Sequence, residues 1–75
     1  MPEVTLQAPA DGLPLVQLLK LAQLTTSTSE ATRAIEQGGV RIDGERVTDR
    51  NLRLAAGTTL TVQVGKRKFA RVRLA

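Results

Sequence analysis

STSEATRAIEQGGVRIDGERVTD, residues 27–49, changes its period halfway along, and that change decides the fold. Its first half reads as a helix. Ser27 and Glu30 have the S-x-x-E spacing of a capping box, in which each side chain satisfies the other's backbone N–H. Ala31, Ala34 and Ile35 give a narrow apolar face at helical spacing. Gly38 suits the left-handed position that closes many helices, so the expected helix is about 28–37. From Val40 the pattern alternates, with Val40 and Ile42 on one side and Arg41 on the other. Asp43-Gly44 is a dipeptide favoured in two-residue hairpin turns, because both central residues need positive φ. Glu45, Arg46 and Val47 form the returning strand.

Upstream, Leu15, Leu18, Leu19 and Ala22 follow the i, i+3, i+4, i+7 pattern of one buried helix face. Val16, Leu21 and Leu24 widen that stripe, and Pro14 fits a first helical turn, where its missing N–H costs nothing. The expected first helix is about 14–24, at the centre of the core. Residues 1–13 are a lead-in or linker from a preceding domain, able to hold one extended strand or a tether. A bare Met1 followed by such sequence suggests a piece of a longer protein. Downstream, residues 48–57 are expected as a loop anchored by Leu52 and Leu54. Thr59 to Val64 alternates again, with Leu60, Val62 and Val64 inward. Gly65-Lys66 turns the chain into a last strand in which Ala70, Val72 and Leu74 share one face and Arg67, Phe69, Arg71 and Arg73 the other. The fold class is therefore α+β: two short packed helices followed by a small, mainly antiparallel β-sheet spanning residues 14–75.

The inventory excludes most catalysis. The chain has 75 residues and neither cysteine nor histidine. That removes disulfides, thiolate metal sites, the commonest metal ligand and the commonest neutral-pH base. No catalytic residue, metal ligand or cofactor is expected in this stretch. A domain of this size buries only about 60% of its unfolded surface, so its core is marginal. The longest apolar run falls well short of the roughly 20 residues of a membrane span.

Charge is unevenly placed. Residues 1–40 carry two basic against four acidic side chains, and residues 41–75 carry nine against three. Five of the eight residues from Lys66 to Arg73 are basic and none is acidic. Like charges this close repel unless a polyanion or solvent compensates. A charged edge strand that resists aggregation would show the same pattern. Arg41 and Arg46, on the outer face of the hairpin, extend the patch, and Arg33 is the one basic residue of the second helix. The N-terminus of that helix, ringed by Ser27, Thr28 and Thr32, can take a phosphate, although capping would use the same groups internally. Phe69 is the one aromatic residue, so recognition by broad base stacking is not expected. The partner these features imply is a structured RNA held through phosphates, sugar and shape. The candidate contact residues are Arg33, Arg41, Arg46, Lys66, Arg67, Lys68, Arg71 and Arg73, with possible phosphate contacts at Ser27, Thr28 and Thr32.

The helix–helix–GG–VxIDGERVTD pattern resembles the small RNA-binding domain named after ribosomal protein S-four, also called the αL-type domain. Ala31, Ile35, Gly38, Val40, Ile42, Gly44 and Val47 fall on its signature positions. The ending VGKRKFARVRLA, together with the PEVTL lead-in, is similar to the C-terminal domain of bacterial tyrosyl-tRNA synthetases. The resemblance implies a domain that grips tRNA(Tyr) near the anticodon stem and the variable arm. It also implies a cytoplasmic parent, an ATP-dependent tyrosine–tRNA ligase that is dimeric through another domain, with its ATP and tyrosine sites elsewhere. This family often carries arginines where Thr28 and Thr32 stand, which moves weight to Arg41, Arg46 and the 66–73 strand. Two alternatives remain: the same domain type attached to a pseudouridine synthase or a ribosome-associated factor, and a docking domain that binds no RNA. The latter would expose an apolar patch rather than a basic one.

Overall fold

The computed structural model describes residues 2–75; Met1, on which the fragment reading partly rests, lies outside them. The element order is β1 (Glu3–Leu6), β2 (Leu13–Pro14), α1 (Leu15–Leu21), α2 (Thr28–Glu36), β3 (Val40–Ile42), β4 (Glu45–Val47), β5 (Arg53–Leu54), β6 (Thr59–Val64) and β7 (Lys68–Leu74). The main sheet has strand order β1-β7-β6-β3-β4, and β2 pairs with β5 in a separate two-stranded ribbon. Every pairing is antiparallel except that of β1 with β7.

Both helices cover one face of the sheet. Leu15, Leu18 and Leu19 of α1 and Ala31 and Ile35 of α2 pack on Val40, Leu60, Val62, Ala70, Val72 and Leu74. All are buried, each large side chain contributing about 1.5–3 kcal/mol relative to exposure. The alternation read from residues 59–64 and 70–74 thus matches the burial of Leu60, Val62, Ala70, Val72 and Leu74, while Val64 is half-buried at the sheet end.

Helix α1 stops three residues earlier than its apolar pattern suggests. The Gln23 N–H donates to the Lys20 carbonyl at 3.0 Å and the Leu24 N–H to the Leu19 carbonyl at 2.9 Å. These are the paired bonds of a Schellman cap, with Gln23 in the left-handed region at φ 61°. The cap turns Leu24 back into the core and leaves Leu21 outside, 53% exposed. The expectation that Leu21 widens the buried stripe is therefore corrected: it projects about 100° away from Ala22 around the helix, past the edge of the sheet-facing side.

Helix α2 ends with the same cap. Gly38 donates to the Ile35 carbonyl at 3.0 Å and Gly39 to the Ala34 carbonyl at 2.9 Å. Gly38 has φ 72°, and a Cβ there would lie 3.2 Å from Arg46 Cδ, so both conformation and space favour glycine. At the other end only half of the expected capping box forms. Ser27 Oγ accepts the Glu30 N–H at 3.1 Å, but the Glu30 carboxylate accepts the Thr26 hydroxyl at 2.6 Å. Thr26 offers a hydroxyl as well as a backbone N–H, which makes it the better donor. That bond outweighs the opposing desolvation and, with the Thr26 N–H and smaller attractions from Lys68 and Arg33, holds the Glu30 carboxyl below the ordinary glutamate range.

The hairpin between β3 and β4 turns through Asp43 (φ 51°) and Gly44 (φ 86°), both left-handed as a two-residue turn of this kind requires. Asp43 also ties the turn to β6. Its N–H donates to the Thr61 carbonyl at 2.8 Å, and its Oδ1 accepts the Thr61 N–H at 3.0 Å.

The lead-in supplies β1, which lies parallel to β7 with Glu3 beside Arg71 and Leu6 beside Leu74. β7 is thus paired on both flanks, and the alternative of β7 as a charged edge strand is corrected. In the 48–57 segment, β5 pairs with β2, and the Leu52 carbonyl accepts the Leu15 N–H at the start of α1 at 2.9 Å.

Candidate nucleic-acid interface

Directly opposed residues in neighbouring strands share a face, so register decides which cations meet. The row Arg46–Arg41–Gln63–Phe69 runs across β4, β3, β6 and β7 on the face away from the helices. The rows Thr61–Arg71–Glu3 and Thr59–Arg73–Thr5 continue that face across β6, β7 and β1. Four of the expected contact residues, Arg41, Arg46, Arg71 and Arg73, therefore lie on one open sheet surface, all exposed. They form two pairs. Arg41 and Arg46 face each other across the hairpin, and Arg71 and Arg73 follow each other along β7. Between the pairs lie Thr59, Thr61 and Gln63 of β6, a neutral stripe one strand wide. Two strand spacings, about 10 Å, separate β3 from β7. That is about one screening length at 0.1 M salt, so the pairs reinforce a common field.

Carboxylates do not neutralise this face. Among the described residues the one ion pair is Arg53 with Asp11 at 3.1 Å, largely solvated and worth at most about 1 kcal/mol. Glu3 stands opposite Arg71 in register without pairing with it. Like charges directly opposed, as at Arg41 and Arg46, destabilise a sheet. The Arg46 side chain runs past Gly38 at the C-terminal end of α2. Arg71 and Arg73 line a shallow cleft of about 320 Å³ with Glu3, Thr5 and Thr59. The polar β6 residues and Thr5 were not singled out from the sequence. The alternation of 59–64 carried the signal for the former, since placing Leu60 and Val62 inward sends Thr59, Thr61 and Gln63 outward.

The remaining candidates lie elsewhere. Lys66 and Arg67 occupy the turn between β6 and β7. Lys68 opens β7 in register with Val64, on the parity of the helix-facing residues, and its Nζ reaches the Leu24 carbonyl at 3.4 Å. Arg33 sits on the exposed side of α2 with Ser29, Thr32, Glu36 and Gln37. Ser27 is engaged in capping, the Thr32 hydroxyl donates to the Thr28 carbonyl at 3.0 Å, and the Glu30 carboxylate occupies the same turn. Those groups are satisfied internally, and an acid stands where a phosphate would go. Among the described residues no group of three or more acids could hold a metal ion, and no helix is long and apolar enough to cross a membrane.

A family model described as the S4 domain matches residues 13–60. The chain belongs to that family. Within it, the chain is similar to the C-terminal part of tyrosine–tRNA ligases. It is 60% identical over 72 residues to that of Nitrosospira multiformis, a match covering 96% of this chain and 18% of the relative. The tyrosine–tRNA ligase of Thiobacillus denitrificans is 61% identical over the same length and coverage. The chain thus spans less than a fifth of the length of these relatives. A solution structure of a tyrosyl-tRNA synthetase C-terminal domain superposes with a TM-score of 0.77 at 28% identity, covering 97% of this chain and 78% of that one. The family resemblance and the α+β fold class expected for residues 14–75 are both borne out.

Proposed function

We propose that this domain binds structured RNA, specifically tRNA(Tyr) at the anticodon stem and variable arm, as the C-terminal appendix of a cytoplasmic, homodimeric tyrosine–tRNA ligase. The observation that carries this reading is the open sheet face shared by Arg41, Arg46, Arg71 and Arg73, none of which forms an ion pair among the described residues. Self-repulsion of this kind is relieved when phosphates replace solvent, and release of counterions from the RNA drives the association. Lys66 and Arg67, in the turn at one end of that face, extend the positive field. Arg33, Ser27, Thr28 and Thr32 are secondary, since α2 spends its capping groups internally.

The domain contributes grip and position, and no chemical step. Phosphate contacts fix register on the RNA without reading its sequence, so selectivity would come from the shape of the bound tRNA. Tethering to a larger ligase would raise the effective concentration of the domain, so modest isolated affinity suffices.

Backbone amide chemical-shift mapping tests the proposal. Titration with tRNA(Tyr) should move the signals of β3, β4, β6 and β7, and a tRNA with a short variable arm should move them less at equal concentration. Absence of shifts in both titrations, or shifts confined to α2, would remove the sheet-face assignment.

A further inference from the structure

Among the described residues, Leu21 and Phe69 are the large apolar side chains left exposed, at 53% and 38%. Both line one groove of about 610 Å³, with Pro2 and Gln23 also on its walls. The groove lies beside the first residues of β7. Arg67 and Lys68 line it too. Neither forms an ion pair, and the bond from Lys68 to the Leu24 carbonyl is long at 3.4 Å. An aromatic ring, an aliphatic wall and two exposed cations, of which Lys68 is only weakly engaged by the Leu24 carbonyl and the field of Glu30, match the parts of a nucleotide: a flat apolar base and an anionic phosphate. An apolar segment of protein would satisfy the walls and leave the Arg67 guanidinium without a counter-charge. Phe69 also belongs to the outer sheet face, two residues from Arg71. The groove is therefore continuous with the arginine surface. Gln23 adds a primary amide, able to donate and accept toward a base edge, from a left-handed position that glycine fills at the end of α2.

We propose that an unpaired nucleotide of the bound RNA enters this groove, its base stacked on Phe69 and packed against Leu21, its phosphate held by Arg67 and Lys68. The inference rests on the RNA-binding reading above and adds to it a class of target: folded RNA with an extruded or bulged residue. Stacking on one aromatic side chain is worth about tenfold in affinity and tolerates any base.

Two labelled RNA hairpins of identical stem, one perfectly paired and one with a single-nucleotide bulge, test it against the full chain and its Phe69→Ala and Phe69→Trp variants. The unsubstituted chain should prefer the bulged hairpin by about tenfold. Phe69→Ala should abolish that preference while leaving affinity for the paired hairpin and its salt dependence unchanged. Phe69→Trp should keep the preference, and its emission should be quenched by the bulged RNA alone; this variant decides the matter if Phe69→Ala unfolds. Equal affinity of the unsubstituted chain for the two hairpins, or a Phe69→Ala effect that is nil or equal on both, overturns the inference and leaves RNA binding standing. Failure of every chain to bind either hairpin and tRNA(Tyr) overturns both.

Discussion

Replacing Arg71 and Arg73 together by alanine isolates the electrostatic part of the proposed grip. Both side chains are exposed on the outer face of β7 and free of ion pairs, and their strand is held by backbone pairing on both flanks. The substitution therefore removes charge with little change in packing, and unfolding free energy should move by no more than about 0.5 kcal/mol. Binding should respond differently. Each lost phosphate contact makes the slope of log affinity against log salt shallower by about 0.7 to 0.9. Two contacts amount to roughly 1.4 to 1.8 in slope, or about 25- to 60-fold in affinity at 0.1 M salt. The loss should shrink toward zero as salt approaches 1 M. Fluorescence anisotropy of labelled tRNA(Tyr) at four or more salt concentrations measures the slope, and a thermal melt checks the fold. Arg53→Ala is the control, since Arg53 already has Asp11 as a partner and lies in β5, outside the main sheet. An unchanged slope in the double variant would refute the phosphate-contact reasoning even if affinity fell.

Three further outcomes follow from the packing and the caps. Ile35→Ala empties a fully buried site between α2 and the sheet and should cost about 2–5 kcal/mol in urea denaturation. Gln23→Gly relieves a left-handed backbone at φ 61°; the strain of about 1–2 kcal/mol is partly offset by the greater freedom of glycine in the unfolded chain. The thermal midpoint should therefore rise, and a fall would show that Gln23 makes a stabilising contact outweighing the strain. The Glu30 carboxyl is held low chiefly by the Thr26 hydroxyl, so its contribution is complete above the ordinary glutamate range and is lost as pH falls through the lowered folded-state value. Glu30→Gln should flatten the decline in thermal midpoint on that acid limb and leave the pH dependence near neutrality unchanged.

Much of the fold was legible because its signals are local. Ser27 before a helical period, Gly38 after it and Asp43-Gly44 between alternating residues each constrain a few neighbouring dihedrals, and all behave as their chemistry dictates. Errors arose where one residue had competing partners. The Glu30 carboxylate could close a box with Ser27, but the Thr26 hydroxyl lies within reach and wins. The α1 pattern extended to Leu24, but the chain reaches the core at Leu24 by leaving the helix through Gln23. Of the candidate interface, the pairing of Arg71 with Arg73 and of Arg41 with Arg46 could be read from alternation and a two-residue turn. Their common face could not, because it depends on β6 lying between β3 and β7.

The sequence by itself determined the two helices, the hairpin, the inward residues of β6 and β7, and the excess of cations in the second half of the chain. Each depends on period, caps or composition, which act over a few residues. Tertiary structure alone decided that β1 returns to lie parallel to β7, that four arginines share one open surface while Lys68 takes the helix-facing parity, and that Leu21 and Phe69 meet in one groove. Those outcomes depend on strand order and on register between residues as far apart in sequence as Glu3 and Arg71. One residue of slip would send each arginine of β7 to the opposite face, and burial of Ala70, Val72 and Leu74 against the helices is what fixes the choice.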